Sequence, residues 1–548
     1  MWWFTTGTDY CSQTFISERG NDLNSRHFED VGQNLGKHFL LSNNNAAMSV
    51  FKGMRRVLRQ CYDNLPDYDH RFFLLYLSIF PRGHQIKRKS LVRRLKAERL
   101  VVNEACKCFD EFIDRCIIKP VHIFNNSVVV KSCQVHDLVQ EYIIQKSFDK
   151  NVVTLIQGPD TLLKGNTGGP VCRLSVQSST KERFHELEDG SASLRSLSIF
   201  NSEPFELRSC MMMRVLDLEG CTGIDNRFLR GICKLLLLRY LSLRKTSIDE
   251  LPRQIEKLEC LETLDIRDTN VKKLPMKKSV LHTLSGFVAN MRHGLEHVIL
   301  FARKLKNVKV WCNDTTTADT PIRISVPKHS SNRSQSKIMW CTKRMEHNRR
   351  NVAIFDFIRI LETRSKTLES VSMVSTGLCQ DFLGSLEGPC SISSIKLQGN
   401  LDRLTASDKL SELGRIKKLQ LFSTGLTIKE LSVLKYLRGL EYLKLVEYSD
   451  RFCSGIFIVE KKGFESLNRL CIEAPMLPRM QFKEGSIESL TPLHFLCPNS
   501  KKQPSETVEG IPHLASLAEV MHNRSMQKDW ETVANENPNR PRVKRQGE

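Results

Sequence analysis

Between residues 87 and 99 the chain carries seven Lys/Arg and one Glu. Basic side chains at that density can neutralise phosphates, so a helix over 90–100 could enter a nucleic-acid groove. A solvated helix face is the simpler reading of the same residues. A second basic stretch, 301–351, holds twelve Lys/Arg against three acids among many Ser, Thr and Asn, and reads as loop. The formal net charge is +21, from 82 basic and 61 acidic side chains. That balance permits contact with nucleic acid, anionic membrane or an acidic protein surface without choosing among them. Catalysis has no local support, because neither H-E-x-x-H nor G-x-S-x-G occurs. Nor does G-x-x-x-x-G-K-[ST], the loop whose amides cradle phosphates and whose hydroxyl reaches Mg²⁺.

The other chemistry the residues offer is recognition. A unit L-x-x-L-x-L, or a close variant, begins at Leu194, Met213, Leu238, Leu261, Leu305, Leu368, Ile392, Ile416, Leu440, Leu467 and Leu490, with a last candidate at Leu514. Between residues 368 and 440 the units step by 24, a leucine-rich repeat period. Alternating leucines imply one short parallel strand per coil, with a core shared between coils. The intervening positions then face out on a concave surface. Arg195, Arg214, Asp217, Arg239, Glu262, Asp265, Lys396, Lys418, Glu441 and Lys444 form a candidate protein-binding band there. Each alone is a solvated position.

The elements that must hold this surface follow from the pattern. Val50, Met54, Val57, Leu58, Cys61 and Leu65 share one helical face, and Pro66 ends that helix. Residues 72–80 read as a short buried helix, and 90–100 and 105–116 as amphipathic helices. Residues 121–124 and 128–131 are β-rich and flank Asn125–Asn126–Ser127, which suits a tight hairpin. A helix over 137–146 closes the module. Residues 157–170, rich in Gly, Thr and Pro, read as linker. The 18 cysteines show no C-x-x-C pair and no zinc spacing, so reduced thiols in a cytosolic protein are expected. No secretory signal opens the chain, and no apolar run approaches the roughly 18–20 residues of a membrane helix. The cytoplasm is the expected compartment, with the nucleus second.

Three local motifs carry a family resemblance. CYDNLP at Cys61–Pro66, LLYLSIFP at Leu74–Pro81 and VHDLV at Val135–Val139 resemble the winged-helix end of the nucleotide switch in plant intracellular immune receptors. The segments beginning at Cys172, Leu194 and Leu238 resemble the first repeats of those receptors, especially in grasses, and PNRPRVKRQ at Pro538–Gln546 resembles their end. The resemblance implies a nucleotide-binding leucine-rich-repeat disease resistance protein. VHD stands where the family has Met-His-Asp, which implies that His136, with Asp137 beside it, would lie at the nucleotide and favour the ADP-bound state. A His donor near a β-phosphate adds a charge-assisted hydrogen bond. Without the phosphate loop, packing beside a helix start is the expectation for His136, with Asp137 favourably placed near that N-terminus. The family's Trp-Ile-Ala-Glu-Gly-Phe run stands here as Leu95-Lys96-Ala97-Glu98-Arg99-Leu100.

The expected architecture is α/β: a leucine-rich-repeat solenoid, or horseshoe, preceded by a mostly α winged-helix domain with a β-hairpin. The expected division is a divergent, poorly ordered segment at 1–49; a winged-helix end of a switch module at 50–150; and a linker and entry at 151–190. Repeats follow at 191–530 with a basic insertion near 311–351, then a basic tail at 531–548. The sequence is expected to be the back half of a switch protein of plant innate immunity, recognising proteins through its repeats as a decoy or regulatory partner, or a fragment, with an ADP/ATP-binding switch or a DNA-binding winged-helix protein as the alternatives. It is expected to be no enzyme and to need no cofactor, whereas ADP or ATP serves its intact relatives. The resemblance implies a pathogen effector or a guarded host protein as partner, or an intact immune receptor. Nucleic acid is not expected.

Overall fold

The computed structural model describes residues 49–545 apart from 101–104, 122–129, 159–160, 164–169, 178–191, 205–209, 272–273, 276–279, 290–304, 313–366, 376–385, 387–390, 400, 402–406, 450–451, 453–454, 477, 498–503 and 523–526. The expected poorly ordered start, the turn at Asn125–Asn126–Ser127 and the basic stretch beyond residue 312 lie outside the described residues. The chain forms two compact units, Met1–Thr246 and Ser247–Glu548.

Among the described residues the first unit opens with five helices: α1 (Ser49–Asp63), α2 (Tyr68–Tyr76), α3 (Arg88–Ala97), α4 (Ala105–Asp114) and α5 (Asp137–Asp149). Asp67 caps α2, its carboxylate accepting from the His70 amide at 2.8 Å. Six residues of α2 are buried, from His70 to Tyr76 with only Arg71 excepted, so its apolar run from Phe72 to Tyr76 has no solvent face. A 3₁₀ turn at Leu77–Ile79 continues it to Pro81. Strands β1 (Ile86–Lys87), β2 (Ile118–Pro120) and β3 (Ser132–Val135) form an antiparallel sheet in the order β1-β3-β2. Ile86 faces Cys133, and Ile118 faces Val135. Described strands thus flank the expected hairpin on both sides. Phe73, Leu77, Ile79, Leu91, Leu95, Phe109, Phe112 and Ile143 are fully buried in one core.

A parallel ladder then begins inside the stretch read as linker. It runs through β4 (Thr154–Gly158), β6 (Arg173–Val176), β7 (Ser196–Ile199), β8 (Val215–Asp217) and β9 (Tyr240–Ser242), while β5 (Thr161–Leu163) folds back antiparallel on β4. The Gly, Thr and Pro content of 157–170 signals a turn, and here the turn joins two strands instead of two domains. Leu174, Leu197, Leu216 and Leu241 stand in register and are buried. Burying each leucine contributes about 1.5–3 kcal/mol, and only stacked neighbours can bury it.

The second unit repeats this logic. Its main ladder is β10 (Thr263–Asp265), β11 (Thr283–Ala289), β12 (Asn307–Cys312), β13 (Ser370–Ser375), β14 (Ser394–Gln398), β15 (Lys418–Phe422), β16 (Tyr442–Val446), β18 (Arg469–Glu473), β20 (Pro492–Leu496), β22 (Glu519–His522) and β23 (Arg542–Arg545). Strands β12 and β13 pair directly, Asn307 against Ser370, so the intervening insertion leaves the ladder unbroken. A second parallel ladder joins β17 (Ile456–Val459), β19 (Arg479–Phe482) and β21 (Val508–Glu509). The segment read as a basic tail from 531 forms a further coil instead. A helix at Gln527–Asn535 stacks Trp530 on Phe495 and leads into β23. Strand β23 pairs in parallel with β22, Val543 standing against the buried Val520.

Candidate functional site: the outward strand face of the repeats

In the first unit the face opposite the leucines is already occupied. The outward positions Ser175, Ser198, Asp217 and Ser242 stand in register on β6 to β9, and all four are buried. The winged helix reaches the first three of them directly. Arg94, on the buried side of α3, donates from Nη1 to Asp217 Oδ2 at 2.6 Å and from Nη2 to Ser198 Oγ. Its guanidinium also lies over the Phe80 ring at 5.0 Å. Burial works against the charge on Arg94, yet Tyr76 and Asp217 outweigh it and hold its pKa above the usual arginine range.

Glu98, just past the end of α3, extends the network. It accepts from Tyr76 Oη at 2.8 Å and from Arg173 Nε at 2.7 Å, and its carbonyl accepts from Arg214 Nη1 at 3.1 Å. Burial and then Glu98 push the Tyr76 hydroxyl pKa upward. Ser90 on α3 meets Tyr240 Oη at 2.7 Å, and Ser175 Oγ donates to the Ile79 carbonyl at 2.6 Å. Ala97, Val215 and Tyr240 close a small apolar cluster beside these bonds. Each strand from β6 to β9 therefore gives at least one outward side chain to the winged helix.

The expected binding residues divide between two environments. Arg195 is exposed, and Arg214 and Arg239 are half-buried. Asp217 stands on the outward side as expected but is consumed by Arg94, so it is no open binding position. In the second unit Glu262, Lys396, Lys418 and Glu441 are half-buried. Asp265 is buried in an ion pair with Arg267, at 2.8 Å from Nε to Oδ1. Lys444 is 2% exposed and bonds Glu473 at 3.1 Å. Glu441 accepts from Lys417 at 2.7 Å. Asp217, Asp265 and Lys444 thus depart from the solvated state that repeat position suggests, because each meets an opposite charge.

Lys396 lies over the Phe422 ring at 4.2 Å, and Lys418 over Tyr442 at 4.7 Å. Burial first and Lys444 second push the Lys396 pKa down. Lys309, in the same outward row, is pushed down to about 8 by burial, then by Arg267 and Lys396. Sequence reasoning missed Arg94, Glu98, Ser198 and Lys309 as site residues. For Lys309 the signal was present: it occupies the same place in its repeat unit as Lys396 and Lys444.

His136 caps α5, its Nδ1 accepting from the Leu138 amide at 3.4 Å. It is half-buried, and that burial lowers its pKa. Asp137 is exposed in the first turn, where its charge favours the helix dipole. These two residues start a helix in this structure. The helix proposed for a nucleic-acid groove, α3, has its Arg94 face turned to the repeats, and Arg88 pairs with Asp110. No group of His, Cys, Asp and Glu among the described residues could hold a metal ion.

A model of the leucine-rich repeat region matches residues 193–543, and one of the disease resistance protein winged helix domain matches 79–143. The chain belongs to the leucine-rich repeat family, in the form that plant disease resistance proteins carry behind a winged helix. The curated rice relative "Disease resistance protein RGA4" is 31% identical over 92% of this chain and 50% of its own length. "Disease resistance protein PIK6-NP", also from rice, is 29% identical over 85% of this chain and 50% of its own. Rice "Disease resistance protein Pik-2" is 38% identical over 38% of this chain and 21% of its own. The chain spans about half the length of the first of these relatives. A Leptospira interrogans LRR protein aligns over 64% of this chain and 90% of its own, with 15% identity and a TM-score of 0.36. Among the described residues, no helix is long and apolar enough to cross a membrane.

Proposed function

We propose that the chain is a receptor-type component of plant innate immunity, acting by protein recognition through its repeats and not by catalysis. The winged helix caps the outward face of β6 to β9, and the later coils are left to meet a partner. The observation that carries this reading is the burial of Arg94 against Asp217 and Ser198, since it ties a regulatory domain to the recognition element. A buried ion pair is weak evidence for extra stability but sets one arrangement of its elements, because an unpaired buried charge is so costly. A partner that loosens the first coils would free α3 by the same amount that α3 opposes the partner. The partner class is a pathogen effector, a guarded host protein or an intact immune receptor, met in the cytoplasm. Infection assays on plants lacking the gene, and on plants overexpressing it, test the reading. Altered resistance is expected, restored in the null by the wild-type chain and not by Arg94→Asp. Unchanged resistance in both lines contradicts it.

A further inference from the structure

Beyond the coils that the winged helix covers, the outward face of the second unit has its own chemistry. Lys309, Lys396 and Lys444 stand in one outward row on every second strand, with Ser372 and Gln420 between them. Two strand spacings separate successive lysines by about 9–10 Å. One row over, Lys418 and Tyr442 lead in register to Arg469. Arg469 is 7% exposed, and its Nε and Nη1 make no hydrogen bond. In the next coil His494, also buried, has an unbonded Nδ1 while its Nε2 meets Glu519 at 3.3 Å. A buried guanidinium with unmet N–H groups is costly, and a carboxylate is the group that repays it best, by charge and by geometry.

We infer that the outward strands from β12 to β20 dock an acidic segment of a protein partner, with Arg469 taking one carboxylate and Lys396 and Lys309, three and five strands away, meeting others along the segment. This rests on the recognition reading above and names the chemistry of its partner. The depressed Lys309 and Lys396 pKa values agree with this, since crowded, half-buried cations gain from an added anion.

The test uses the purified whole chain and a fluorescein-labelled oligoglutamate bearing a photoreactive group. Saturable binding is expected, with cross-links on β12 to β20. Arg469→Gln and Lys396→Glu should each weaken it by about tenfold or more. Lys257→Glu and Lys461→Glu, which change exposed residues off this face, should leave it within about twofold. Lys396 is half-buried, so its variant reports even if Arg469→Gln disturbs the coil. Binding kept by a C-terminally amidated probe assigns the carboxylate to a side chain, and binding lost assigns it to a chain terminus. Equal losses for all four variants, duplex DNA competing as well as oligoglutamate, or no saturable binding overturns the inference. Cross-links confined to other coils also overturn it while leaving recognition by the repeats in place, which the infection assay judges separately.

Discussion

Arg94 Nη1 and Asp217 Oδ2 are 2.6 Å apart across 123 positions of sequence, and neither side chain is open to solvent. One comes from a helix of the winged-helix domain and the other from the third outward position in a row of four. Arg94→Ala leaves the Asp217 carboxylate buried without its partner, and a cost of about 3–5 kcal/mol is expected. Arg94→Lys restores charge without the two-pronged reach to Asp217 and Ser198, so it should recover only part of the loss. The midpoint of the first transition in urea unfolding of the whole chain measures both.

The repeat core predicts a sharp contrast between adjacent residues. Leu419 is fully buried, and Lys418 beside it is half-buried on the outward face. Leu419→Ala should cost about 2–5 kcal/mol, and Lys418→Ala about 0.5 kcal/mol or less. Thermal unfolding of the two variants checks this, with a clear drop in Tm for the leucine alone.

His84 makes the first unit sensitive to acid. Its ring stacks on Phe80 at 5.4 Å and meets Phe200 edge-on at 5.2 Å. Burial pushes its pKa down to about 4, with Glu219 opposing and Arg94, Lys245 and Lys87 assisting. The folded state thus prefers the neutral ring. Stability is full above the unfolded value near 6.5 and is lost as pH falls from there towards 4, because the unfolded chain takes up the proton first. Unfolding midpoints between pH 7 and 4 should fall less steeply in His84→Phe than in the wild type.

Gly286 marks a bulge in β11, where the register against β12 shifts between Ser285 and Phe287. Its φ is +94°, and a Cβ there would lie 2.2 Å from the Arg267 amide nitrogen. Gly286→Ala should therefore cost at least about 1–3 kcal/mol from backbone strain alone. A Tm unchanged from wild type would show that the bulge relaxes freely.

The repeat architecture is legible because it depends on period. Leucines two residues apart declare a strand, and a step of 24 declares the coil, so Leu419 and Leu443 could be placed from sequence. The ends of the ladder were harder to read. At 157–170 turn-forming residues hid β4 and β5, and after residue 531 basic residues hid β23. The candidate face was legible in position but not in state. Asp217 and Lys444 point outward as their parity requires, yet their partners Arg94 and Glu473 come from other elements, and no local pattern reports such a pairing. His136 was legible as a helix start, because a polar residue ahead of an acidic first turn suits a cap.

The contact most open to a direct test is the one that would make the winged helix and the first repeats energetically one body, Arg94 with Asp217. A double-mutant cycle on the whole chain tests it, with Arg94→Ala, Asp217→Ala and the double variant compared by amide hydrogen exchange along α3 and β8. Strong non-additivity is expected, with a coupling of about 1–3 kcal/mol and the double variant little worse than either single one. Losses that add to within about 0.5 kcal/mol would contradict it, and would leave the winged helix and the repeats as neighbours without a shared lock.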